Sequence, residues 1–155
     1  MNTLLAAAIK TESNSGLSPI ILRITTASVF IAHGGQKLFS WFGGYGLEGT
    51  GQWMESIGLA PGYLMALLAG SAEFFGGLFL LVGLLTRASS LVLAMTMLVA
   101  IFSVHFENGF FMSANGYEFA FALLGASVAL MFSGAGKYSL DALLLNRGIN
   151  KTDAS

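Results

Sequence analysis

Arg23, His33, Gln36, Lys37, Glu73, His105 and Glu118 are the side chains in this sequence best equipped for chemistry, and they lie within or at the ends of long apolar runs. Histidine exchanges protons near neutral pH, and a glutamate beside it is a natural partner in proton transfer. Lysine and glutamine add hydrogen-bond donors. Set among apolar and aromatic residues, His33, Gln36, Lys37, His105 and Glu118 suit a ligand with a polar head and an apolar body, such as a quinone or a lipid-like molecule. Arg23 and Glu73 suggest a different role. A charge near the middle of a bilayer costs several kcal/mol unless it has a partner. The sequence therefore predicts a buried Arg23–Glu73 ion pair, serving either to fix helix packing or to act in function.

Other chemistries are limited by what the chain lacks. It has no cysteine, which excludes disulfides, thiolate metal sites, iron–sulfur ligation and a thiol relay within the chain. Two histidines on different helices raise bis-histidine heme ligation, but their expected depths differ by several ångströms, so heme is disfavoured. No metal motif links His33, His105 and the glutamates, and no metal is expected. A net charge of -1 argues against a nucleic-acid partner.

The elements that position these residues follow from composition. Of 155 residues, 55% are hydrophobic and 10% charged, against about 25% charged in a soluble domain. A spanning helix needs about 20 mostly apolar residues. Four candidate spans emerge, at about 18–40, 61–85, 88–106 and 116–132. The expected architecture is an all-α membrane protein, a four-transmembrane-helix bundle over 17–135 with short interfacial helices. Residues 1–16 read as a short cytoplasmic or interfacial tail, and 136–155 as a cytoplasmic amphipathic segment with Leu140, Leu143 and Leu144 toward lipid.

Lys10, Arg87, Lys137, Arg147 and Lys151 fall on one side of these spans, while Glu48, Glu55 and Glu107 fall on the other. The excess of lysine and arginine in cytoplasmic loops then places both termini inside. Lys37, at the outer end of the first span, is the exception. The two outer loops carry Trp41, Phe42, Tyr45, Trp53, Phe110 and Phe111, which suit an interfacial aromatic belt or a lid over a pocket. The stretch 50–58 predicts a short helix on the membrane with Trp53, Met54 and Ile57 on one face.

Helical spacing groups Ala66, Gly70, Glu73 and Gly77 on one stripe, and Glu118, Ala122, Gly125 and Ala129 on another. Small residues mark close helix contact in membranes, so both glutamates are expected on packing faces. At about 1.5 Å per residue, His33, Gln36, Lys37, His105, Glu107 and Glu118 all come out in the outer third, beneath the aromatic loops.

The run from Leu22 through Phe30-Ile-Ala-His-Gly-Gly-Gln-Lys-Leu-Phe39 resembles the first helix of the DoxX family of small bacterial inner-membrane proteins. Gly70-Ser-Ala-Glu-Phe-Phe-Gly-Gly-Leu through Gly83-Leu-Leu-Thr-Arg87 is similar to that family's second helix. The segment from His105 to Asn115-Gly-Tyr-Glu118 and the ending Gly136-Lys-Tyr-Ser-Leu-Asp141 also fit. The resemblance covers about 17–145. It implies an inner-membrane location and a link to quinone-dependent redox, in sulfur or oxidative-stress metabolism. It also implies that the family's polar residues correspond to Arg23, His33, Gln36, Lys37, Glu73, His105 and Glu118. The family also resembles, more distantly, eukaryotic four-helix membrane proteins that act as cargo receptors or assembly chaperones.

Three functions follow as expectations. The first is an accessory subunit of a membrane oxidoreductase, rather than an independent enzyme, that binds a quinone or lipid-like ligand in the outer polar cluster. The second is a non-enzymatic assembly, scaffold or chaperone-like partner. The third is a small oligomeric transporter using the Arg23–Glu73 pair. Membrane lipid is a partner in all three, with another membrane protein or a second copy of the chain beside it.

Overall fold

The computed structural model describes residues 17–145, and among these all regular structure is helical. The expected tail over 1–16 and the cationic positions Arg147 and Lys151 lie outside the described residues. Helix α1 runs Ser18–Phe39 and α2 is the short Gly46–Ser56. Helix α3 runs Gly62–Val82, and α4 runs Thr86–Ala100 before passing through a π turn, Ile101–His105, and a 3-10 turn, Phe106–Asn108. Helix α5 is Glu118–Ser133. Two helical stretches, Gly62–Val82 and Thr86–Asn108, are long and apolar enough to cross a membrane, and Glu118–Ser133 is apolar but shorter.

The ends are set locally. Pro19 sits in the first turn of α1, where its missing N–H costs nothing. Helix α3 stops at Gly83, which takes the left-handed conformation at φ 69°. There Leu84 N donates to Phe79 O and Gly83 N to Leu80 O, the paired bonds of a Schellman ending. The following turn is so short that Leu85 also adopts positive φ before α4 begins.

Helices α1 and α3 run antiparallel and form the main packing unit, while α4 and α5 form the other. Glycine decides how closely the first two approach. A Cβ on Gly34 would lie 2.5 Å from Phe74 N, and one on Gly77 would lie 3.0 Å from Ile31 N. These contacts fix the register, with Gly34 level with Phe74 and Ile31 level with Gly77. Ala27, Phe30, Leu80, Leu93, Met97, Ile101 and Leu130 fill the core between the two units. Thr25, Ser28 and Thr96 face outward, each donating to a carbonyl four residues back in its own helix, which satisfies a hydroxyl in an apolar setting.

Two expected faces turn out differently. On α3, Ala66, Gly70, Glu73 and Gly77 are buried, but on α5 Ala122, Gly125 and Ala129 are exposed. The buried side of α5 is instead Ala120, Ser127 and Leu130. With an apolar surface nearly all round α5, spacing alone could not tell the lipid side from the protein side. On α2, Trp53 is exposed while Met54 is buried, and Ile57, just past its end, is exposed. Helix α2 is folded onto the start of α3, where the Glu55 carboxylate accepts the Gly62 N–H, so Met54 packs inward.

Candidate functional site

Glu73 lies midway along α3, and its carboxylate Oε2 is 2.6 Å from the Lys37 Nζ. The glutamate side chain is 5% exposed and the lysine 23%. This pair replaces the expected Arg23–Glu73 pair. The register explains why. Glu73 is level with Gly34, whereas Arg23 lies three turns earlier on α1, about 16 Å along the axis. Lys37 is one turn beyond Gly34 and reaches back.

Arg23 has a different task. Its guanidinium is 2% exposed at the residue level and donates only to backbone oxygens. Nε donates to Leu80 O at 2.9 Å and Nη2 to Leu81 O at 3.3 Å. Nη1 donates to Ala135 O at 2.5 Å and Tyr138 O at 3.0 Å. Leu80 and Leu81 belong to the last turn of α3, whose carbonyls have no partner within the helix and carry the negative end of its dipole. Arg23 thus ties α1, the end of α3 and the segment after α5 into one knot. The knot needs Gly83, where a Cβ would lie 2.8 Å from the Arg23 Cζ. Asp141 completes this end, accepting from Leu85 N at 2.8 Å and Thr86 N at 3.0 Å at the start of α4.

At the other end, a cavity of about 270 Å³ lies between the helices. His33 and Lys37 from α1, Glu73 from α3 and His105 from the π turn are its polar lining, with Phe30, Met97 and Phe119 among its apolar walls. The segment around Met112 and Asn115 covers it. His105 Nδ1 is 2.8 Å from Asn115 O, which holds the ring against this cover. His33 has no hydrogen-bond partner among the described residues and touches the Phe119 ring at a centroid distance of 6.1 Å. Both His33 and Phe119 are exposed, so the cavity reaches the surface on its α1–α5 side as well as under its cover.

Of the expected polar cluster, His33, Lys37 and His105 come together, and Glu73 joins them. Gln36 and Glu118 do not line this cavity. Gln36 points toward the α1–α2 loop, with Nε2 3.5 Å from Phe42 O. Glu118 Oε1 accepts from Met112 N at 2.8 Å and so fastens the covering loop. Glu73 was missed as a cavity residue because its partner was misassigned. Lys37, a cation inside an apolar helix with no assigned partner, is the signal that would have found it.

The family model for DoxX matches residues 18–106. CatD of Bacillus subtilis (strain 168), named provisionally as an oxidoreductase, is 34% identical over 125 residues, covering 81% of this chain and 85% of CatD. The inner membrane protein YqjF of Escherichia coli (strain K12) is 34% identical over 127 residues, covering 81% of this chain and 90% of YqjF. No solved structure matches the chain. With the matched family model spanning more than half of its length, this chain belongs to the DoxX family.

Proposed function

We propose that the chain is a four-span inner-membrane protein, with both termini cytoplasmic, that binds a quinone or lipid-like ligand in the cavity between His33, Lys37, Glu73 and His105. In this reading it serves an oxidoreductase as an accessory subunit. Helix α1, at about 33 Å for its length, is long enough for the roughly 30 Å core of a bilayer. Helix α5 is shorter, and Phe110 and Phe111 just before it are suited to the interface. Lys37, the exception to this orientation, lies within α1 and pairs with Glu73 rather than standing in a loop. Arg87 and Lys137 then mark the inner end.

The observation that carries the ligand reading is one small cavity with an ion pair and two imidazoles on one side, apolar walls on the other, and a mouth between two helices. Ligand sites are mostly apolar hollows of about 300–1,000 Å³ with a few convergent polar groups. A hollow of about 270 Å³ admits a single-ring head group and leaves an isoprenoid-like tail to run out past His33 and Phe119. A quinone, when bound, supplies two-electron redox chemistry coupled to protons. The unpartnered His33 imidazole would donate to or accept from a ring oxygen, His105 would do the same once released from Asn115 O, and the Lys37 ammonium would add a charged donor.

The test is equilibrium binding of a short-chain quinone to the purified protein. His33→Ala and His105→Ala are each expected to weaken binding about tenfold, the loss of roughly one hydrogen bond. Gln36→Ala, off the cavity, is expected to bind normally. Unchanged affinity in both histidine variants would remove the quinone from the site.

A second reading, as an assembly partner, is favoured by the outward stripe of Ala122, Gly125 and Ala129. A Cβ on Gly125 would have nothing within 4 Å, and small residues of this kind admit another helix closely. Native mass spectrometry of protein extracted in mild detergent tests it: Gly125→Leu should abolish any complex that uses this face. The transporter reading loses the Arg23–Glu73 device on which it depended.

A further inference from the structure

Two hollows meet at one side chain. Besides the cavity between the helices, a second hollow of about 590 Å³ lies beside the α1–α2 loop, lined by Gln36, Gly44, Tyr45, Thr50 and Trp53 among others. Lys37 lines both, and no other residue is shared. Glu73 belongs to the wall of the cavity alone. The Lys37–Glu73 contact therefore stands between a loop-lined hollow and the interior.

This partition differs in kind from the rest of the wall. Interdigitated apolar side chains cannot part without leaving voids. A lysine on a four-carbon stem moves between staggered rotamers, and a single ion-pair contact holds it in place. Its neighbours on the outer side include Gly43, Gly44 and Gly49, which put no side chain in its way. The other opening, between His33 and Phe119, lies between two apolar helices and suits a lipid-soluble molecule.

We propose that the Lys37–Glu73 pair is a gate through which small water-borne reactants, water and protons above all, reach the cavity from the α1–α2 hollow. The cavity is then served from two sides: a lipid-soluble ligand arrives between α1 and α5, and its hydrophilic co-reactant passes Lys37. This inference rests on the reading of the cavity as a ligand site and names the class of the second reactant.

Because the chain has no cysteine, Ala100→Cys places a single thiol on the cavity wall. Its rate of reaction with a small charged methanethiosulfonate is followed in detergent, without added quinone, so the result is independent of whether a quinone binds. With the pair intact the rate is expected to be low. Glu73→Gln preserves the shape of the wall and weakens the pair. It should raise the rate at least about tenfold, as an open state held to a minor population becomes a major one. Lys37→Met is expected to act in the same direction, and Lys37→Arg to stay slow. Adding Phe119→Trp, which narrows the lateral mouth, should leave the fast rates unchanged. Equal rates in the Glu73→Gln and unaltered pairs, in protein shown by circular dichroism to be folded, would overturn the gate. So would a fast rate abolished by Phe119→Trp. Glu73→Gln keeps an acceptor for Lys37, so the test stands even where Lys37→Met does not fold.

Discussion

Lys37 on α1 and Glu73 on α3 meet at 2.6 Å where the two helices cross through their glycines. The lysine lies near the end of its helix and the glutamate in the middle of its own, and the antiparallel register brings them together. Each removes the other's charge from an apolar setting. The pair also sits on the wall of the cavity and on its border with the α1–α2 hollow, so packing and access depend on the same contact.

Breaking the pair from one side should be costly. Lys37→Met leaves the Glu73 carboxylate buried without a cation, and removal of one partner of a buried pair costs about 3–5 kcal/mol. The double variant Lys37→Met/Glu73→Met should recover most of that loss, because it leaves no orphan charge. Thermal unfolding of the four proteins of this cycle in one detergent measures the coupling. Strict additivity would show that the pair does not form.

Arg23 should tolerate no replacement, lysine included. Its guanidinium serves four carbonyls from two other parts of the chain, the end of α3 and the segment after α5, and an ammonium on a flexible stem cannot span them. Hydrogen bonds to charged groups contribute roughly 1.5–3 kcal/mol each, so Arg23→Lys is expected to lower stability by at least about 2 kcal/mol. Quinone affinity, measured in the folded fraction, should not change, because Arg23 does not line the cavity.

Gly34→Ala tests the register itself. The added methyl would meet the Phe74 backbone, which cannot swing aside as a side chain can. Overpacking of this kind costs about 1–3 kcal/mol. Gly125→Ala, by contrast, adds its methyl to open space inside α5 and should raise stability by up to about 1 kcal/mol in the same assay.

Asp141→Ala removes the carboxylate that accepts the N–H of Leu85, just before α4, and of Thr86, its first residue. Loss of such a cap costs about 0.5–2 kcal/mol. Asp141→Asn should fall between the native protein and Asp141→Ala, since its one amide oxygen accepts from only one of the two N–H groups and it carries no charge for the helix dipole. Hydrogen exchange at the Leu85 and Thr86 amides reports the effect directly, and unchanged protection there would show that the cap contributes nothing.

Much of the helical layout was legible in the sequence because it depends on local quantities. Apolar run length marked the long helices to within a few residues, and the Ala66–Gly77 stripe marked the buried face of α3. The polar site was legible in part. His33, Lys37 and His105 were grouped by depth alone, since depth follows from counting residues along a helix. Gln36 and Glu118 shared that depth but face elsewhere, because depth carries no information about rotation around the bundle.

What only the tertiary structure decided was pairing. Two cations on α1, Arg23 and Lys37, were available to one buried glutamate, and the sequence favoured the one nearer the middle of an apolar run. The choice rests on how far α1 slides along α3, which is set by glycine-to-backbone contacts between residues some 40 positions apart, such as Gly34 and Phe74. The same holds for α5, where an apolar surface on nearly every side left its orientation to whatever packed against it. Local chemistry determined which groups had to be satisfied, and the packing of distant segments determined which partners satisfied them.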